Sequence, residues 1–213
     1  MITQLLTAAI LLLTLQMLGS ARLGVLIRSV ALQAGAMILL GIFSAHELPN
    51  WHEGLLLLTT FLLKCLVFPL LLRRALRETV IHREVEPLIG YTRSLFIGLV
   101  LLGAGLWIAT RLPLPPKTIN PFQLAIALAT IGSGFILIVG RIKAITQTIG
   151  YLVLENGIGM LGFVLATGSP LIIEMGILLD IFVGIFVMGI LMLDINREFD
   201  HMDTDKLSTL RDL

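Results

Sequence analysis

Long apolar runs alternate along this chain with short polar or breaker-rich joints. Seven runs cover approximately residues 2–20, 24–45, 54–73, 89–110, 121–140, 148–167 and 171–194. A helix needs about 20 largely apolar residues to cross the hydrocarbon core of a bilayer, and each run meets that length. The joints read SARLG, HELPNWHE, RRALRETVIHREVEP, RLPLPPKTINP, GRIKAITQ and GSP, and a polar stretch, NREFDHMDTDKLSTLRDL, closes the chain. The pattern predicts an all-α, polytopic membrane protein with about seven transmembrane helices. Residues 1–213 would form a single integral membrane domain, with a tail at 195–213 outside the bilayer. The first run lacks a basic segment ahead of it and is followed by similar runs, so it reads as a retained helix rather than a signal peptide.

Composition agrees, with 57% hydrophobic and 14% charged residues, a membrane signature. A formal net charge of +1 and the lack of a basic tail argue against nucleic acid as a partner. The single cysteine, Cys65, excludes a disulfide framework and a cysteine-ligated cluster. The basic residues predict orientation. Arg22, Arg28, Arg73, Arg74, Arg77, Arg83, Arg93, Arg141, Lys143, Arg197, Lys206 and Arg211 fall on one face if seven helices alternate, whereas the other face receives Arg111 and Lys117. The positive-inside rule makes the crowded face cytoplasmic, so the N-terminus is expected outside and the C-terminus inside.

Carboxylates within the last two runs are the strongest chemical signal. Glu155 lies in IGYLVLENGIGMLGFVLATG and Asp180 in PLIIEMGILLDIFVGIFVMGILML. A charge at bilayer depth costs roughly 3 kcal/mol even on lenient insertion scales, so it persists where a buried site or ion path uses it. Lys64 is about 11 residues into the third run and Asp180 about 9 into the seventh, which sets both near the midplane on a 1.5 Å rise. Glu155, about 7 residues into the sixth run, is expected somewhat closer to the cytoplasmic face. In a medium of low dielectric, opposite charges in one layer attract. Two readings stay open for each group. Lys64 is a fixed counter-ion to Asp180 or to a partner subunit, or a lysine whose charge changes as neighbouring carboxylates load. Glu155 and Asp180 belong to a proton or ion path, with coupled titrations, or they serve helix–helix hydrogen bonding.

Secondary candidates surround these three. Asn156 and Gly157 add a polar side chain and a close-packing point beside Glu155. Glu174 is a possible exit group, although a carboxylate opening a helix, as Glu53 and Glu174 do, needs no special function. Pro69 predicts a kink just past Lys64. His46, His52, His82 and His201 fall in joints or the tail, so no span carries a haem-ligating pair. The chain contains no phosphate loop, nucleophile constellation or HExxH pattern. No catalytic, cofactor-binding or metal-ligating residue is therefore assigned, and any redox chemistry is expected in partner subunits.

The sequence also reads as duplicated. HEGLLLLTTFLLKCLVFPLLLRRALRE and IEMGILLDIFVGIFVMGILMLDINRE share an opening Glu, a glycine and a closing Arg-Glu, and Gln33-Ala34-Gly35 precedes Glu155-Asn156-Gly157 by about 122 residues. Two parallel three-helix repeats, roughly 1–84 and 120–204, would flank the fourth span.

IGYLVLENGIGMLGFVLA, followed by EMGILLDIFVGIFVMGILML and preceded by the lysine-bearing FLLKCLVFPLLLRRAL, resembles the hydrogenase-4 component E family, membrane subunits of formate hydrogenlyase-type [NiFe]-hydrogenase complexes. The resemblance covers nearly the whole chain. Residues 120–213 are also similar to the K subunit of respiratory complex I and the C subunit of multisubunit cation/proton antiporters. Glu155 matches the first intramembrane glutamate of that three-helix family, whereas Asp180, a shorter carboxylate, departs from the second. The resemblance implies a complex I-related assembly in the prokaryotic cytoplasmic (inner) membrane. In it the chain would link a heel membrane subunit to antiporter-like membrane subunits. Iron–sulfur clusters and a NiFe centre would belong to peripheral hydrogenase-type subunits, with no cofactor bound by this chain.

Two functions follow. The chain is an ion-conducting subunit in which Glu155 and Asp180 load protons and Lys64 tunes them, or a structural adaptor whose buried charges are paired across subunit interfaces. Membership of a cation/proton antiporter is a related alternative, and a free-standing transporter a more distant one. With too few partners for its charges inside one polypeptide, the chain is expected to depend on neighbours for stability.

Overall fold

The computed structural model describes residues 1–44, 51–78, 87–112 and 120–165, together with positions 182, 184 and 189. Among these residues every regular element is helical. They are α1 (Ile2–Gly19), α2 (Leu23–Ser44), α3 (Trp51–Leu62), a π turn (Leu63–Val67), α4 (Phe68–Glu78), α5 (Tyr91–Arg111), α6 (Pro121–Gly140) and α7 (Ala144–Leu165). The segment α3–π–α4 is one continuous span, so six helices among the described residues are long and apolar enough to cross a membrane. The chain is an all-α polytopic membrane protein. The expected seventh span at 171–194, the tail at 195–213, and with them Asp180 and Glu174, lie outside the described residues.

Local chemistry accounts for the helix ends. At the start of α6, the Asn120 side chain accepts a hydrogen bond from the Phe122 N–H at 3.0 Å, and Pro121 occupies the first turn, where its missing N–H costs nothing. Ser20 ends α1 in an extended conformation, its N–H still bonded to the Met17 carbonyl. The sixth span begins at Ala144 rather than 148, because Ala144 through Gln147 complete its first turn against Lys143, whose carbonyl accepts from the N–H groups of Thr146 and Gln147.

The closest pairing is the hairpin of α6 and α7, where glycines let the backbones approach. A methyl on Gly157 would lie 2.7 Å from the Ile131 nitrogen, one on Gly150 2.8 Å from the Ile138 nitrogen, and one on Gly134 2.6 Å from the Leu154 nitrogen. Such small-residue contacts are how helices associate tightly in lipid, where burial of apolar surface supplies little. Helix α2 packs between α1 and α7, α5 covers α6, and α3–π–α4 leans on α2.

The interior is layered. Towards the Arg141 side lies an apolar cluster containing Met17, Leu18, Leu23, Ile27, Phe68, Leu72, Ile149 and Val153. Towards the other side lies a second, containing Ile10, Met37, Ile38, Ile126 and Met160. Between them, in sequence on every contributing helix, come the buried polar residues Thr14, Gln33, Lys64, Thr130, Ser133, Glu155 and Asn156.

Candidate functional site

The polar layer holds an ion pair. Lys64 Nζ lies 3.1 Å from Glu155 Oε1, with the two side chains only 5% and 2% exposed. Charges buried to this degree need each other, because each alone faces a large desolvation cost. Glu155 of the same chain is thus a partner of Lys64, while Asp180, the other expected counter-charge, lies outside the described residues. Glu155 sits at mid-span, since its helix starts earlier than the hydropathy pattern indicated.

The lysine is carried by the π turn. Phe68 donates its N–H to the Leu63 carbonyl, five residues back instead of four. Pro69 has no N–H for the carbonyl of residue 65 and its ring presses on that carbonyl, which weakens regular α geometry at this point. The chain meets this with a widened turn over Leu63–Val67. Within the same turn the Cys65 thiol approaches the Ala31 carbonyl at 3.6 Å, tying the turn to α2.

A chain of neutral side chains joins four helices beside the pair. Asn156 donates through Nδ2 to Gln33 Oε1 at 3.2 Å, and Gln33 donates through Nε2 to Thr14 Oγ1 at 2.8 Å. Thr14 gives its own proton to the Ile10 carbonyl at 2.8 Å. Its hydroxyl has one proton, so in the 3.4 Å contact between Thr14 and Thr130 the donor is Thr130. Thr7 and Ser133 are satisfied locally by carbonyls one turn back.

At the end of the bundle, Arg141 is buried, 1% exposed. It donates through Nη2 to the Leu18 carbonyl at 2.9 Å and stacks 4.2 Å from the centre of the Tyr91 ring. It thus caps the end of α1 and draws together α1, α5 and the α6–α7 joint. Ile89 N–H, bonded to the Gly140 carbonyl at 3.2 Å, adds a second tie at this end.

Of the residues singled out in the sequence, the structure brings together Lys64, Glu155 and Asn156, with Gly157 at the α6 contact. For the seventh span, Gly184 abuts the Phe68 ring. Thr14 and Thr130 were not anticipated, Gln33 was noted only as a repeat counterpart, and Arg141 only as a surface charge. No group of three or more His, Cys, Asp or Glu side chains able to hold a metal occurs among the described residues.

Comparison with known proteins gives two kinds of relative. An uncharacterised protein of Mycobacterium tuberculosis, Rv0085, is 37% identical over 153 residues, which cover 70% of this chain and 69% of that one. Hydrogenase-4 component E of Escherichia coli K12, and its counterpart in Shigella flexneri, is 26% identical over 170 residues, covering 80% of this chain and 76% of the relative. No family model and no solved structure matches the chain.

Proposed function

The chain belongs to the family of the mycobacterial protein Rv0085 and is homologous to hydrogenase-4 component E; from that premise we propose that it is a non-redox membrane subunit of a hydrogenase-type complex. Within that complex it contributes a proton-loading group at mid-membrane. The observation that carries this reading is the Lys64–Glu155 pair, a titratable couple buried in the polar layer between two apolar clusters. A purely structural link between helices would be served at lower cost by neutral hydrogen bonds, such as those the same layer makes through Gln33 and Asn156. A carboxylate facing an ammonium has two states, ion pair and protonated acid beside a cation. A change in the surroundings of the pair shifts the balance between them.

Asp180 remains part of this proposal. Gly184 lies against Phe68, four residues after Lys64, and Asp180 precedes Gly184 by four residues in the sequence. That register supports a second carboxylate near the height of the pair, with Glu174 nearer the outer end as an exit group. The proposed setting is a complex I-related assembly in the cytoplasmic membrane. The N-terminus lies outside, antiporter-like and heel membrane subunits flank the chain, and redox centres reside in peripheral subunits.

The test uses the whole complex in sealed membrane vesicles. Glu155→Gln should leave assembly intact, as judged by co-purification, while proton movement per turnover falls to background. Unchanged proton movement in an assembled Glu155→Gln complex would leave only the adaptor role.

A further inference from the structure

The two halves of α7 differ in chemistry. After Asn156 the helix reads Gly-Ile-Gly-Met-Leu-Gly-Phe-Val-Leu, with no polar side chain up to its end at Leu165. Before Glu155 it carries Thr146, Gln147, Thr148 and Tyr151. Gln147 is engaged with the Arg141 carbonyl at 2.9 Å. The hydroxyls of Thr146 and Thr148 are fully buried and make no hydrogen bond, not even to the carbonyl one turn back that a helical threonine commonly uses. A buried hydroxyl left so is normally served by water, provided polar partners converge on the same place.

They do converge. Thr148, Tyr151 and Glu155 stand at spacings of three and four, so they share one stripe of α7. Helical side chains lean towards the N-terminus of their helix, which tilts the Glu155 carboxylate towards Tyr151 and Thr148 and away from the apolar half. Thr148 is about 10 Å below Glu155 on a 1.5 Å rise, a gap that a phenol and a few waters bridge. Tyr151 is half-buried against the apolar cluster on the Arg141 side of the bundle.

We propose that Thr148 and Tyr151 form a one-sided access route by which protons reach Glu155 from the face bearing Arg141 and Lys143, while the half of α7 beyond Asn156 stays closed. The inference rests on the reading of Glu155 as a proton-loading group and adds its route. A proton enters from water at that face. The Thr148 hydroxyl and then the Tyr151 phenol each accept one proton and release another, through intervening water. The Glu155 carboxylate takes the last, forming the neutral acid and leaving the Lys64 ammonium in place. No net charge remains on either hydroxyl. Both are positioning and relay groups, since the loaded atom is on Glu155.

The experiment follows the Glu155 carboxyl band by time-resolved infrared spectroscopy after a pH jump, on the full chain in its native complex in lipid nanodiscs. Loss of the band in Glu155→Gln identifies it. Thr148→Val and Tyr151→Phe should each slow its protonation by about tenfold without moving the band, water replacing part of the lost relay. Thr148→Ser, which restores the hydroxyl in a smaller side chain, should recover the rate. If Glu155→Gln removes no pH-dependent band, the proton-loading reading falls and the route with it. If it removes the band while Thr148→Val and Tyr151→Phe keep the wild-type rate, the route alone is wrong.

Discussion

The hairpins α1–α2 and α6–α7 are built to the same measure, yet they treat their central polar position differently. In each, a second helix of 22 residues follows a joint of three, residues 20–22 and 141–143. The mid-helix residue of α2 is Gln33, an amide satisfied by Thr14 and Asn156. The mid-helix residue of α7 is Glu155, which needs an ammonium brought in on a widened turn of another span. A neutral hydrogen bond between membrane helices contributes about 0.6 kcal/mol on average. An ion pair there is far more sensitive to losing one member than it is stabilising as a unit. The α2 site thus rests on neutral bonds, and the α7 site on a charge pair that depends on both of its members.

Lys64→Met puts the largest strain on this contrast. It strands the buried carboxylate and should destabilise the protein by about 3–5 kcal/mol, whereas Lys64→Met combined with Glu155→Leu should recover most of that. Thermal unfolding of the three proteins in mild detergent decides, and a single variant no worse than the double would mean that the pair is not energetically coupled. Gly157→Val comes next, since even its first carbon would lie 2.7 Å from the Ile131 nitrogen. Overpacking of this kind costs about 1–3 kcal/mol, and a cross-link between α6 and α7 positions should form less readily if the helices are forced apart. Gln33→Leu leaves the Asn156 amide unsatisfied and should cost about 1–2 kcal/mol, most of it regained when Asn156→Leu is added. Unlike the lysine variant, it should leave proton movement nearly unchanged; a loss there equal to that of Glu155→Gln would erase the distinction between the hairpins. Thr130→Val removes only the long contact to Thr14 and should shift stability by about 0.6 kcal/mol or less, close to the resolution of a melting curve.

The sequence announced those features whose cost is intrinsic to the residue. Lys64 and Glu155 stood out because a charge in an apolar run is expensive wherever its helix packs. Their shared layer did too, but that Lys64 meets Glu155 depends on how α2, α7 and the third span cross, which no spacing along the chain encodes. Thr14, Gln33 and Thr130 were quiet for the opposite reason. A neutral polar side chain in a membrane helix carries a small penalty, and threonine can satisfy itself on its own backbone. Pro69 marked the irregular point of the span, and the widened turn just before it is where the hydrogen bonding gives way. Arg141 counted towards the topology as a joint cation, although a joint three residues long leaves it little room outside the bundle, and it turns inward to Leu18 and Tyr91.

The ion pair also imposes an order of events during synthesis. Roughly ninety residues separate Lys64 from Glu155, so at common translation rates the lysine's span emerges on the order of 5–20 s before the helix that neutralises it. For that interval the third span carries an unmatched cation whose insertion costs roughly 3 kcal/mol. The leucines and other apolar residues of the span, at about 0.3–0.6 kcal/mol each, outweigh that charge, so the span can insert early and then wait with its lysine unmatched until α7 arrives. A ribosome stalled between the two would leave a chain with its lysine exposed to lipid, a state that quality-control proteases can tell from the finished bundle.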